Sequence, residues 1–174
     1  MFEFIKRDNA IDMVGNGVTF KNVSISVKTE DGNVFVEAID CAPIKGGIAW
    51  ILSFLKQADV RKVVADGDNG KTLLADEMRD EKLGRPIMPK VNEVIKAYSL
   101  WEQGIANGSI KHMSQSAADQ VITNCDKRAI GSKGGFGYTS QLDGADISIL
   151  DSMALAHWQC VECKNEERKQ KISY

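Results

Sequence analysis

The 174-residue chain has no apolar run approaching the ~18 residues that a membrane-spanning helix needs, which excludes an integral helical membrane protein as a reading. The opening MFEFIKRDNA lacks a continuous apolar stretch closed by a small-residue cleavage site, so no secretory leader is expected. Charge of one sign is not in excess either. Lys and Arg total 22 against 24 for Asp and Glu, giving a net charge of −2 and a pI near 5.7. No global field draws such a chain to nucleic acid. A DNA enzyme of this composition needs a local basic face or an acidic cleft neutralised by metal. Cysteine is sparse and scattered, at positions 41, 125, 160 and 163, which is no disulfide framework and points to a reducing cytoplasm. Repeats, low-complexity tracts and a dividing linker are also missing. With 43% hydrophobic and 26% charged residues, the chain fits one globular domain of the usual ~100–200 residues. The expected layout is a single domain over 1–174, with a core of about residues 10–158 and a tail at 159–174.

What is present is a change of hydrophobic period along the chain. Ala10 to Val14 is a short apolar run closed by Gly15-Asn16-Gly17. Val23, Ile25 and Val27 alternate with Ser24, Ser26 and Lys28, then Glu30-Asp31-Gly32-Asn33 makes a turn into Val34-Phe35-Val36, the pattern of a hairpin. After Gly46-Gly47 the period becomes helical, with Ile48, Ile51, Leu52 and Leu55 on one face. Lys62 to Ala65 is a short strand, Leu73, Leu74, Met78 and Leu83 mark a helix, and Ile87-Met88 suggests another strand. Helices are expected over Val91 to Ala106, after a Ser114 cap, and from Ile147 to Trp158, with a loop or strand edge from Gly131 to Gly137. A meander followed by β-α-β alternation implies an α/β fold, a mixed sheet flanked by helices.

Three acidic positions could carry chemistry. Asp66 ends its strand and is followed by Gly67-Asp68-Asn69-Gly70. Ligands of open α/β sheets sit at the carboxyl ends of strands, although Asp, Asn and Gly also build ordinary turns. Asp146 leads into the last helix within Asp143 to Asp151, where its structural role would be an N-cap, and Asp151 lies about one turn further along. Asp12 stands between Ile11 and Met13 in the first short strand, opposite in facing to both. Phosphodiester hydrolysis with two metal ions needs oxygen ligands converging on sites about 4 Å apart, and carboxylates suit Mg²⁺ or Mn²⁺. Three aspartates from a first strand, a later strand end and a final helix meet that need if the fold gathers them. A competing reading takes Ala65 to Thr72, ADGDNGKT, as a near match to a nucleotide phosphate loop, with alanine in the first position. Against it, Asp66 and Asp68 bring negative charge toward the phosphates.

The stretch from Gly17 through Trp158 resembles the C-terminal nuclease domain of phage large terminases. The resemblance rests on Val63 through Gly70, on Val91 through Ala97 with Gly108 to His112, and on Lys127 to Gly131 with Gly144 to Ser148. It also rests on an aspartate, Asp146, leading into the Ala154-Leu155-Ala156 helix. The family implies a ribonuclease H-like sheet, a three-strand antiparallel meander plus parallel strands, in an endonuclease that cuts viral double-stranded DNA during genome packaging. It implies Mg²⁺ or Mn²⁺, two ions, held by Asp66 and Asp146. If the first strand is Gly17 to Phe20, Thr19 stands at the remaining acidic position; if it is Ala10 to Val14, Asp12 supplies the ligand, and that alternative is favoured here. Implied partners are DNA, the terminase ATPase domain, the small terminase subunit or the portal, in the bacterial host cytoplasm. The family couples its nuclease to an N-terminal ATPase for which 174 residues leave no room, so an excised domain, a split gene product or a prophage remnant is expected. The alternative function is an inactive DNA-binding or assembly module.

Other residues carry weaker signals. Cys160 and Cys163 form a CxxC beside His157, but a structural zinc needs four ligands and no second pair has suitable spacing. His112 is read as structural, and Lys164 to Lys171 as a solvated helix end able to touch phosphates weakly.

Overall fold

A computed structural model describes residues 9–16, 19–39, 47–58, 60–67, 70–132, 134–142 and 147–162, with backbone alone up to residue 22. The first strand, β1 (Asn9–Asn16), is internal to the sheet: it pairs antiparallel with β2 (Thr19–Lys28) and parallel with β4 (Val60–Asp66). The apolar run at Ala10 to Val14 is therefore the first strand, and Thr19 opens the second, opposite Asn16. β3 (Val34–Ile39) follows β2 antiparallel, and β5 (Ile110–Lys111) lies parallel beyond it, giving the sheet order β4-β1-β2-β3-β5. The hairpin turn forms where its residues predict. Thr29 N–H donates to the Asn33 carbonyl, and the Asp31 carboxylate accepts from the Asn33 side chain.

Helices cover both faces. On one, α1 (Gly47–Gln57) and α2 (Lys71–Asp80) bring Ile51, Leu52, Leu55, Leu74 and Met78 against Val23, Val63 and Ala65. On the other lies α5 (Ser148–Glu162), packed against β1, β2 and β3 beneath α3 (Val91–Ala106) and α4 (Ser116–Thr123). From Ser148 to Cys160 every residue of α5 is buried except Asp151, which is half-buried. A helix covered all round belongs to the interior, and α5 is the axis of this face. The serines of β2 face it. Ser24 and Ser152 share a 2.6 Å hydroxyl hydrogen bond, and Ser26 Oγ donates to the Ala156 carbonyl at 2.7 Å. The alternation Val-Ser-Ile-Ser therefore separates two buried faces rather than core from solvent.

Several local expectations are corrected. Leu73 is 46% exposed, because the inward stripe of α2 is set by Leu74 and Met78, four residues apart. Ile87 makes a single parallel bridge to Val64 rather than a strand. Gln115, not Ser114, precedes α4; the Ser114 hydroxyl instead donates to Asp119. The Gly131 to Gly137 stretch, read as loop or strand edge, falls at the turn and first residues of β7 (Gly135–Ser140); the strand it pairs with in a hairpin, β6 (Cys125–Ile130), was not expected, because its charged Asp126-Lys127-Arg128 hid the strand period. The last helix runs past Trp158 to Glu162, where Glu162 pairs with Lys96 of α3. Gly104 permits α3 to approach closely: a Cβ there would meet Ile110 at 2.6 Å and His157 at 3.2 Å.

Candidate active site at the end of β4

β4 delivers Asp66 to the carboxyl end of the sheet. Val64, two residues earlier, is fully buried against Ala97, Leu155 and Trp158, so strand alternation turns Asp66 toward the same α3–α5 side. The next residue, Gly67, has φ +106°, a conformation that favours glycine, and lets the chain leave the strand at once. Its N–H donates to Asp66 Oδ1 at 2.8 Å, which fixes the carboxylate at the turn.

The second carboxylate comes from α5. Asp151 is the half-buried gap in an otherwise buried helix, and its Oδ1 accepts a 2.7 Å hydrogen bond from the Tyr98 hydroxyl of α3. Tyr98 is 5% exposed. Burial, above all, raises its pKa; Asp151 adds to this by charge and hydrogen bond, and Asp66 adds further by charge, while Arg128 opposes them. The phenol therefore stays protonated and donates. Two acidic residues 85 positions apart in sequence thus act on one hydroxyl, at the junction of a strand end, a central helix and a covering helix.

Aromatic packing holds that hydroxyl in place. The Tyr98 ring meets Tyr138 edge-on at 5.1 Å and lies 6.4 Å from Phe136; Phe136 and Tyr138 meet edge-on at 5.8 Å. Tyr138 donates to Glu102 Oε1 at 3.1 Å, Lys127 pairs with the same carboxylate at 2.7 Å and sits 4.6 Å from the Phe136 ring centre, and Arg128 Nε donates to the Tyr138 carbonyl at 2.9 Å. The hairpin missed in sequence thus backs the site and carries Lys127 and Arg128 beside it.

The residues expected from sequence stand as follows. Asp66 occupies the strand end. Asp12 lies in β1, its backbone between Ser24 and Val64, two register steps before the Val14–Asp66 pairing. The side chain of Asp12 and the whole of residues 143–146, with Asp146, lie outside the described residues, as do Asp68, Asn69, Cys41, Cys163 and the 163–174 tail. Cys160 is buried in the core of α5. His112 is exposed, with Nδ1 3.2 Å from the Met113 carbonyl. Among the described residues no group of three His, Cys, Asp or Glu side chains gathers. Sequence reasoning placed Asp151 only as a neighbour of Asp146. Its signal was its position, an acid one turn into a helix that carries no other acid before Glu162.

This architecture defines a class. A meander with parallel strands added beside it, and helices on both faces, is the ribonuclease H-like fold of phage terminase nucleases. Solved structures share this fold. The HK97 bacteriophage large terminase superposes with a TM-score of 0.66 at 12% identity over 87% of this chain. The large terminase nuclease of thermophilic phage G20c, in a structure with bound magnesium, gives 0.59 at 16% over 88% of this chain and 82% of its own. The Thermus phage P74-26 nuclease domain gives 0.57 at 18% over 87% of this chain and 78% of its own. The chain spans 39% of the HK97 protein. No protein-family model matches the sequence, and no curated protein sequence matches it.

The donor chemistry fits a hard divalent cation. Asp66 and Asp151 offer carboxylate oxygens from two elements, and a carboxylate has about four lone-pair sites, so a hydrogen bond that sets its plane is compatible with ligation.

Proposed function

We propose that this chain is a metal-dependent endonuclease domain that cleaves double-stranded DNA as part of phage genome packaging, with residues 1–174 forming one nuclease unit. The observation that carries this reading is the Tyr98–Asp151 hydrogen bond within electrostatic reach of Asp66 at the carboxyl end of β4, in a fold shared with terminase nucleases. Asp66, Asp146 and Asp12 are the proposed ligands for Mg²⁺ or Mn²⁺, two ions in all, and Asp151 joins them. That the G20c nuclease binds magnesium supports a divalent ion for this chain. When bound, divalent metal supplies charge to neutralise the phosphate and acidifies a water for attack.

The chain's own residues do the rest. The Gly67 N–H holds the Asp66 carboxylate at the strand end, and the Tyr98 hydroxyl holds that of Asp151. Lys127, paired with Glu102, and Arg128, bonded to the Tyr138 carbonyl, lie on the hairpin that walls Tyr98 and are the proposed basic contacts to a phosphodiester backbone. Partners that follow are double-stranded DNA and, in a packaging assembly, an ATPase domain, a small terminase subunit or a portal. The setting is the bacterial host cytoplasm. Among the described residues no helix is long and apolar enough to cross a membrane.

The test is plasmid nicking with Mn²⁺. The wild-type chain is expected to nick, and Asp66→Asn to lose nicking while its circular dichroism spectrum is unchanged. Undiminished nicking by Asp66→Asn removes that residue from the site. A wild-type chain that binds DNA yet neither nicks nor binds metal establishes the inactive assembly module instead.

A further inference from the structure

We infer that Tyr98 is a positioning residue for the metal centre, orienting Asp151 toward Asp66, and that the β6–β7 hairpin sets its aim. The inference rests on the nuclease reading above and goes beyond it, to a residue that is no ligand. Asp151 lies on α5 and Asp66 on β4, and neither element by itself fixes how the two carboxylates face one another. A half-buried aspartate at the start of a helix has rotamers to choose from. The 2.7 Å hydrogen bond from Tyr98 favours the one that Asp151 adopts.

Tyr98 is able to make that choice because it is itself immobile. It sits in the middle of α3, which is anchored by the Lys90 N–H on Glu93 Oε2 at 2.7 Å and by the Lys96–Glu162 pair. Its ring is walled by Phe136 and Tyr138, and Tyr138 is in turn tied to Glu102 of α3. The hairpin and helix therefore grip the phenol from two sides, and its only freedom is the hydroxyl rotor, which Asp151 occupies. Groups that orient metal ligands in this way typically change metal affinity or activity by about 10–100-fold when removed.

Calorimetric Mn²⁺ titration without DNA reads this directly. Tyr98→Phe removes one oxygen and keeps the ring. It is expected to weaken Mn²⁺ binding by about 10–100-fold, with the nicking loss in kcat and the KM for DNA within about twofold. In an Asp151→Asn background the same change is expected to have no further effect, because the residue acts through that carboxylate. Phe136→Leu keeps the phenol and removes one wall; it is expected to weaken Mn²⁺ in the same direction by less, and serves if Tyr98→Phe does not fold. Wild-type Mn²⁺ binding together with unchanged affinity in the folded variants overturns the positioning role alone. A wild-type chain that binds no Mn²⁺ overturns the nuclease reading and this role with it. An equal loss from Tyr98→Phe in the Asp151→Asn background also overturns the role, since the hydroxyl would then act elsewhere.

Discussion

The two faces of the central sheet are built by different rules. Under α1 and α2 the interface is aliphatic: Val23, Val63 and Ala65 meet Ile51, Leu52, Leu55, Leu74 and Met78. Under α5 the same strands present Ser24 and Ser26, and the helix answers with Ser152 and a backbone carbonyl, with buried His157 further along. The first face needs only volume and shape. The second also pairs its serine hydroxyls across the interface, because an unpaired buried donor or acceptor costs about 1–3 kcal/mol, a cost that His157 Nδ1 still carries. The candidate site sits on the second face. Its polar groups hold α5 at a fixed height on the sheet, and that height puts Asp151 beside the phenol that also feels Asp66.

The sharpest test of the contrast sets one residue from each face side by side. Asp151→Asn is expected to lower Mn²⁺-dependent nicking at least about a hundredfold, with little change in the urea midpoint. Leu74→Ala, fully buried on the aliphatic face, is expected to cost about 2–5 kcal/mol in urea unfolding, while the fraction still folded nicks at the wild-type rate. If Asp151→Asn unfolds the protein instead, the division between the faces fails.

The next effect is pH-dependent. His157 is 3% exposed, its Nδ1 has no hydrogen-bond partner, and burial pushes its pKa down from 6.5 to about 4. The folded protein thus resists a proton that the unfolded chain accepts near 6.5. Stability from this group is complete above about pH 6.5, falls as pH drops toward 4, and changes no further below; the full loss is about 3 kcal/mol. Urea midpoints from pH 7 to 4 should show that slope, and His157→Gln should flatten it. A slope unchanged in that variant assigns the acid sensitivity to other groups.

The smallest effect concerns the serine pair. Ser24→Ala is expected to cost about 1 kcal/mol, since Ser152 keeps a 2.9 Å hydrogen bond to the Ile149 carbonyl. The double variant Ser24→Ala with Ser152→Ala should cost little more than the single one, as apolar groups replace both partners. Additive losses in the cycle would show that the two hydroxyls work independently.

Much of the fold was legible because its signals are local. The Val23–Ser24–Ile25 alternation, the Asp31-Gly32 turn and the α1 and α3 stripes each need only a few neighbouring residues. The β6–β7 hairpin was not, since its strand residues Asp126 to Arg128 are chosen for partners across space: Gln141, Glu102 and the Tyr138 carbonyl. Asp66 stood out by its place at a strand end before glycine. Tyr98 looked like one more aromatic on a helix, because the positioning role proposed for it depends on what α5 and the hairpin bring to it.

The sequence alone determined the element types, the sheet's meander-then-crossover plan and the strand end where Asp66 stands, because periodicity and turn chemistry act over a few residues. Only tertiary structure decided that the serines of β2 face a buried helix, that Asp151 meets Tyr98 across 53 positions, and that a hairpin walls the phenol. Those contacts depend on the relative height and rotation of packed elements, which no local pattern encodes.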